Sequence, residues 1–498
     1  DRVVEESKTE WNEWLGRIQV EGKDEVAKKR FYTDLFHALQ GRRIVSDVNG
    51  KYLDMTGDKP RAGQIPLKAN GQPKFNHHNF DAMWGAQWTI NTLWHLVYPE
   101  VTESFINSML MMYDDGGLIP RGPAGGNYTY VMTGASSTPF IVSAYQKGIR
   151  GFDIQKAYEG MRKNHFPGGM MSKAGYEHKT FKGGGIEYYM ERGYVPHPIS
   201  PIRYGFHMDG SAQTLEYAYQ DFSLAQMSKA LGKTDDYQLL MKRSQNFKNI
   251  WNPELGWMWI KNLDGNWEKS VDILRYDHGW EEGNSAQWTW FVPHDLKGLA
   301  SLMGGNDKAV AKLNESFEKA SAHDFVSGKS HDKETQEENR RVYLNFGNQP
   351  SIQTSYIFNQ IGAPWLTQKW TRKVIEKVYS GLSPNYGYSG DEDQGLMGSL
   401  AVLMKIGIFS MDGGVAQTPY YDLSSPIFDK IEIKLNPDFY PGKIISIETK
   451  NNSQDNVYIQ QASFNGKPIK SWISHPDLIK GGKITYLLGA KPNKSYGQ

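Results

Sequence analysis

The chain of 498 residues contains no cysteine. That excludes disulfides, thiolate catalysis and zinc–thiolate sites. It also has almost no charge imbalance, with 56 lysines and arginines against 55 aspartates and glutamates. A balanced surface argues against nucleic acid or an anionic membrane as the main partner. No run of 18 apolar residues occurs, so no membrane span is expected. The start is not signal-like either. Asp1 opens a charged, helix-like segment, as expected of a mature or trimmed product or of part of a longer one. A phosphate-binding loop is missing as well. Gly116–Asn127 is rich in glycine but lacks the lysine and the spacing of such a loop. Glycine there lets the backbone turn sharply or approach a ligand, and Arg121 within it is a candidate substrate contact. Gly183–Tyr188 carries the same two readings. Asp47-Val48-Asn49-Gly50 starts like a calcium loop without the rest of the twelve-residue pattern, so it reads as a turn. His77-His78 has no third ligand at a suitable spacing and reads as a surface or hydrogen-bonded pair, and His294 as a residue that orders its loop.

What is present in excess is aromatic surface: 13% of residues, with 15 Trp and 28 Tyr. Most of these rings belong in a core, yet an aromatic face with a polar edge also suits the C–H faces of a sugar ring. The length allows a large core and more than one domain. Amphipathic runs separated by Gly/Pro/Asn loops predict twelve helices. They lie near 24–39, 81–97, 101–112, 138–147, 154–163, 212–231, 234–249, 286–303, 307–321, 351–361, 364–378 and 395–406. Six pairs of helices suggest an (α/α)6 toroid with a concave site formed by the loops at one end. After Gly413 the texture becomes alternating, as in Ile431-Glu432-Ile433-Lys434-Leu435, with turns at Asn451-Asn452-Ser453 and Asn465-Gly466. That predicts antiparallel strands of a smaller β-sandwich region. The expected division is a linker helix over 1–24, a mainly α catalytic domain over 25–413 and the β-sandwich region over 414–498.

Two acidic clusters sit beside glycines. One is Glu281-Glu282 in Gly279-Trp280-Glu281-Glu282-Gly283-Asn284, and the other is Asp391-Glu392-Asp393 in Gly390–Gly395. Two such clusters, far apart in sequence, suit chemistry that needs a carboxylic acid and a carboxylate on one substrate. Glycosidic bond cleavage is the commonest case, with one group protonating the leaving oxygen while the other activates water or attacks the sugar. Carboxylate runs are more often solvated turns, and spacing alone leaves both readings open.

The motifs decide between them. In order, the chain carries Phe31-Tyr32-Thr33-Asp34-Leu35-Phe36-His37, Gln213–Asp221, Glu282-Gly283-Asn284, Trp288–Asp295, Ala363–Gln368, Asp391–Gly395 and Tyr458-Ile459-Gln460. Taken in order, these resemble glycoside hydrolase family 92, the calcium-dependent exo-acting α-mannosidases. The resemblance runs from about Trp11 to Gly497. It implies an inverting hydrolase that removes terminal mannose from α-mannoside glycans, with Glu282 as general acid and Asp391 and Asp393 supplying the general base, Asp393 preferred. Inversion needs a water between base and anomeric carbon, so the carboxyls should stand about 6.5–9.5 Å apart. The acid must stay protonated near neutral pH, and Glu281 could help as a neighbouring negative charge or could be a solvated bystander. The resemblance also implies a calcium ion on the sugar's 2- and 3-hydroxyls. The matching positions are Asn348, otherwise a turn residue before Pro350, and Gln287. An N-terminal β-sandwich module usual in the family is expected either to be missing or to lie in a part beyond this chain. A periplasmic or secreted bacterial protein is the expected setting, and the lack of cysteine fits it.

Two departures matter. Many members have a His-x-Asn-Glu-Pro pattern where this chain has Phe346-Gly347-Asn348-Gln349-Pro350, which speaks against α-1,2 specificity and makes Phe346 and Gln349 candidate substrate contacts. The usual Trp-Asp-Thr appears as Trp84-Gly85-Ala86. Trp84 is kept as a candidate sugar-facing ring, and the Asp expected to hold the sugar's outer hydroxyls is lost. Two rival readings follow. A mannose-1-phosphodiester hydrolase is disfavoured by the retained Glu282, because a phosphate leaving group needs little protonation. A non-catalytic glycan-binding protein with a degenerate site is disfavoured because Glu282, Asp391 and Asp393 are all retained.

Overall fold

A computed structural model describes residues 2–80, 83–173, 184–198 and 209–497. Asp81, the expected start of one helix, and Gly183, the first residue of the second glycine run, lie outside them. The protein is mainly α with a β region at its C-terminal end.

The helices form where the apolar spacing and the caps agree. Asp24 caps Glu25–Ala38 by accepting from the Ala27 N–H at 3.0 Å. Pro99 and Pro364 open Pro99–Gly116 and Pro364–Val378, where the missing N–H costs nothing. Gly117 and Gly407, in left-handed backbone, close Pro99–Gly116 and Leu396–Ile406. Gly210–Ala230 is buried nearly all round, which is why its polar residues Gln213, Glu216, Gln220 and Asp221 lie inside the protein. Asp221 is there matched by His165 at 2.8 Å and Arg243 at 2.7 Å. The expected helix over 286–303 is instead two short ones, Ser285–Trp288 and Leu296–Leu302. Pro293 cannot donate to a continuing helix, and Asp295 caps a new one through the Gly298 N–H at 2.8 Å. The expected helix over 351–361 likewise begins as a 3-10 turn, Gln349–Ser351, before Thr354–Gln360.

The first helix of the region 25–413, Glu25–Ala38, packs against its last, Leu396–Ile406, which also packs on Ala86–Val97. Between the helices lie the largest fully buried rings, among them Trp88, Trp94, Trp280, Trp288 and Trp290. Burying each contributes roughly 1.5–3 kcal/mol or more.

The C-terminal region departs from the expectation in two ways. First, Ile18–Glu21, expected within a helical linker, is a strand. Its alternating burial turns Ile18 and Val20 inward against Ile433 and Ile431 of Lys430–Lys434. Second, the larger sheet is mixed. Its order is Ile18–Glu21, Lys430–Lys434, Ile444–Lys450, Gly482–Gly489, Tyr458–Phe464 and Lys467–Pro468. Ile444–Lys450 and Gly482–Gly489 run parallel, pairing Ile447 with Ile484, while the other neighbours are antiparallel. A parallel pair needs a long crossover, and the strands and turns of 451–481 provide it. A second, three-stranded antiparallel sheet joins Ile408–Phe409, Tyr420–Leu423 and Trp472–Ser474.

Candidate active site

The two acidic clusters meet. Glu282, Asp391 and Asn348 line one cavity of about 230 Å³, together with Asp277, Arg340 and Asn345. Each cluster reaches it on a tight loop. In the first, the Gly283 carbonyl accepts from the Asp277 N–H at 2.8 Å and the Glu281 carbonyl accepts from the Trp288 indole N–H at 2.8 Å. Asn284 then caps the short helix behind it, its Oδ1 accepting from the Gln287 N–H at 3.1 Å. In the second loop Glu392 caps Leu396–Ile406. Its carboxylate accepts from the Gly395 N–H at 2.7 Å and the Gly398 N–H at 2.8 Å. Gly390 and Gly347 bring this loop onto the segment 345–349, for a Cβ on Gly390 would lie 2.1 Å from the Gly347 carbonyl oxygen.

The backbone of both acidic residues is unusual. Glu282 has φ of 44° and Asp393 φ of 56°, and Gln394 follows at 59°. Left-handed backbone at residues with side chains costs of order 1–3 kcal/mol each and persists where the surroundings over-determine it, commonly at functional sites.

Asn348 and Gln349 connect the two loops. The Asn348 amide donates to the Glu282 carbonyl at 3.0 Å and to Glu282 Oε2 at 3.2 Å. The next residue, Gln349, donates through Nε2 to Asp393 Oδ2. Neighbouring residues, with Cα atoms about 3.8 Å apart, thus each hold one of the two carboxylates.

Each carboxylate also has an acidic neighbour. Glu281 is only 1% exposed, so it is not a solvated bystander. Burial, and then the charge of Glu282, drives its carboxyl well above the ordinary range towards the neutral form. That shift weakens its case as the negative charge considered above. Burial pushes Glu392 up to about 8, against the pull of its two backbone N–H donors and with a smaller push from Asp393. Beneath the second loop Asp34 accepts from Arg30 Nε at 2.8 Å, the Tyr388 hydroxyl at 2.7 Å and Lys405 Nζ at 2.6 Å.

Other expected contacts lie elsewhere. Arg121 is fully buried. Its guanidinium donates to the carbonyls of Gly134 at 2.7 Å, Tyr130 at 3.0 Å, Met132 at 2.6 Å, Met170 at 3.2 Å and Lys173 at 2.9 Å. With its donors spent on loop backbone, it clamps the segment 130–134. Phe346 is a core residue, fully buried with ring centroids 6.0 Å from Phe317 and 6.5 Å from Phe325. Trp84 is 4% exposed, tilted on Trp288 at 6.2 Å, with its indole N–H on Glu216. His77 and His78 are buried and bonded to Ser108 and Ser104 at 2.9 and 2.8 Å, and burial lowers them to about 4 and about 3. His294 is bonded to the Ser244 carbonyl at 2.8 Å, and 47–50 is a turn closed by the Gly50 N–H on the Asp47 carbonyl at 2.8 Å.

Asp277, Arg340 and Asn345 carried no signal in the sequence. Asp277, at φ of 54°, also borders a larger opening of about 1160 Å³, lined among the described residues by His197, Asn262, Trp267, Glu268 and His278.

Among the described residues no group of three or more His, Asp or Glu is arranged to hold a metal. The donors beside Glu282 are mostly neutral oxygens. Gln287 donates through Nε2 to the Val342 carbonyl at 3.0 Å, which turns its Oε1 towards Gly283. Gln349 Oε1 is buried and accepts no hydrogen bond among the described residues. Amide oxygens such as these and Asn348 Oδ1, with the Glu282 carboxylate, are the donor type that a hard, oxygen-seeking cation takes.

Comparison with known proteins places the chain in a family. The model of the glycosyl hydrolase family 92 catalytic domain matches residues 1–490. An uncharacterized secreted glycosidase of Arthroderma benhamiae is 26% identical over 478 residues, which make up 88% of this chain and 56% of that protein. A family 92 α-mannosidase from Bacteroides thetaiotaomicron, solved in complex with mannoimidazole, superposes with a TM-score of 0.82 at 26% identity, covering 98% of this chain and 59% of that one. A family 92 inverting mannosidase from the same organism gives 0.81 at 29% identity, covering 99% and 63%. The chain thus spans less than two thirds of the length of these relatives. It belongs to glycosyl hydrolase family 92.

Proposed function

We propose that this family 92 member is a calcium-dependent, inverting exo-α-mannosidase. The observation that carries the reading is the pair of carboxylates on left-handed backbone, Glu282 and Asp393, held by the adjacent side chains of Asn348 and Gln349. Neighbouring holders suit the separation of about 6.5–9.5 Å that leaves room for a water.

In the reaction, the Glu282 carboxyl gives its proton to the glycosidic oxygen as the bond to the anomeric carbon breaks. Asp393 takes a proton from the water that attacks the opposite face. The mannose leaves as the β anomer, Glu282 is left as a carboxylate and Asp393 protonated, and proton exchange with solvent resets both. Asp391, on the same cavity, adds negative charge opposite the acid, where positive charge develops on the ring. Asn348 and Gln287 would hold the calcium ion, which when bound would orient the sugar's hydroxyls and favour ring distortion. The opening bordered by Asp277 would receive the rest of the glycan, with Trp267 offering a ring face.

The loss of the His and Glu of the usual motif supports a linkage other than α-1,2. We further propose that the helical pairs of 25–413 close an (α/α)6 ring, which the packing of Glu25–Ala38 on Leu396–Ile406 supports, with 414–498 as a separate β region. The name of the fungal relative supports an exported protein, and no described helix is long and apolar enough to cross a membrane.

Mannose release from the whole protein tests the reading. Glu282→Gln and Asp393→Asn should each abolish release of mannose from an unactivated mannobioside while the unfolding temperature stays within a few degrees. Near-normal rates in either variant would overturn the roles.

A further inference from the structure

We propose that Gln349 is the residue that positions Asp393, and that Gly85 exists to make room for it. The two act as one coupled unit. This rests on the reading of Asp393 as the base.

Two departures from the expected motifs fall on residues that touch. Position 85 lacks the expected Asp and position 349 has Gln for Glu. In the structure, a Cβ on Gly85 would lie 2.6 Å from Gln349 Cγ and 2.9 Å from Gln349 Cβ. Real atoms essentially never come that close, so any side chain at 85 excludes Gln349 from its present pose. Gly85 has φ of 70° and sits directly before the helix Ala86–Val97, so it cannot swing aside without moving that helix. Gln349 is equally fixed. It is 5% exposed, its own N–H donates to Asn348 Oδ1 at 3.0 Å, and Pro350 follows.

The pose matters because of what its end does. Nε2 donates to Asp393 Oδ2. A neutral donor orients the carboxylate and favours its ionised form. A Glu at 349 would set a second carboxylate there, with the opposite effect on the base. The side chain at 349 in this pose therefore requires Gly at 85, and a change at either reaches the base through the same hydrogen bond. Gln349 acts through Asp393 and is a positioning residue.

The test is a double-mutant cycle of Gly85→Ala and Gln349→Ala, read as kcat, KM and unfolding temperature of the whole protein with a mannoside. Alanine at a positive φ is strained by itself, but that strain is common to both backgrounds and cancels in the cycle. Gln349→Ala should lower kcat by about 10- to 100-fold, the scale of a misplaced catalytic group, with KM changed less than kcat. Gly85→Ala should cost a similar factor alone and less in the Gln349→Ala background, where the closer clash, with Cγ, has gone and only that with Cβ remains. Its effect on unfolding temperature should shrink in that background too.

Multiplicative losses in kcat, or a KM changed as much as kcat in Gln349→Ala, would overturn the positioning role. The unfolding-temperature cycle needs no turnover. If Gly85→Ala destabilises equally in both backgrounds, the pairing is wrong whatever the enzyme cleaves. If the pairing holds there while Asp393→Asn keeps full activity, the assignment of the base has failed and the steric coupling has not.

Discussion

The loop carrying Glu281-Glu282 and the loop carrying Glu392-Asp393 are built alike from unrelated sequence. In each, one carboxyl is turned into the protein and its chain neighbour, on left-handed backbone, is tied to the segment 348–349. They differ in what the inner carboxyl does. Glu281 is fully buried and driven towards neutrality. Glu392 receives two backbone N–H groups at the start of Leu396–Ile406, and so anchors its loop to a long helix. The acid side thus rests on a short helix, Ser285–Trp288, and on hydrogen bonds to 340–348, and the base side on a helix that reaches back to the buried Asp34–Lys405 pair. One loop is held mostly by its neighbours and the other mostly by its own helix.

The largest effect that would break this parallel lies in the outer carboxylates. Glu282→Gln and Asp393→Asn should each lower kcat by about 10²–10⁴-fold or more, measured as mannose release. A retained rate in one of them would show that only one loop does chemistry. Next comes Arg121, which serves neither loop. Arg121→Met should destabilise the fold by about 3–5 kcal/mol, because several buried carbonyls lose their donors. Chemical denaturation checks this, and a stable but catalytically dead variant would return Arg121 to the substrate.

A smaller effect sharpens the difference between the inner carboxyls. The folded-state value of Glu392 is raised to about 8. Its contribution to stability is thus fully present below the unfolded value of about 4.3 and is lost as pH rises through about 8. Glu392→Gln cannot lose a proton, so its unfolding free energy should fall less than that of the parent between those limits. Parallel pH profiles for the two proteins would contradict the raised value. Smallest is the effect of Trp84→Phe, which removes the indole donor to Glu216 and keeps the ring. It should cost about 1–2 kcal/mol of stability and leave KM within a few-fold. A large rise in KM would make Trp84 a sugar contact.

Much of this was legible in the chain. Proline and glycine at the ends of Pro364–Val378 and Leu396–Ile406 mark their limits closely, since their backbone constraints act locally. The two acidic clusters stood out because carboxylates beside glycine suit a loop facing a ligand, and the family resemblance singled out Glu282 and Asp393 within them. The rest needed tertiary structure. Nothing local tells that Ile18–Glu21 adds to a sheet more than 400 residues later, or that the sheet contains a parallel pair. Glu281 looks like Glu282 until burial separates them, and Glu392 looks like Asp393 until its two backbone N–H donors are seen. Arg121 sits in a glycine-rich stretch and Phe346 in a motif segment, both of which resemble binding loops, and only the buried carbonyls and rings around them show their structural work. The contact between Gly85 and Gln349 joins positions 264 apart in the numbering, and no periodicity reports it.

The central claim is that the two loops form one inverting site. The most direct measurement is NMR of the anomer released by the whole protein from α-1,2-, α-1,3-, α-1,4- and α-1,6-mannobiosides, with EDTA and with calcium restored. The account predicts that β-mannose appears first from at least one linkage other than α-1,2, that EDTA stops it and that calcium returns it. Initial release of α-mannose, or no release from any mannobioside with calcium present, would contradict it.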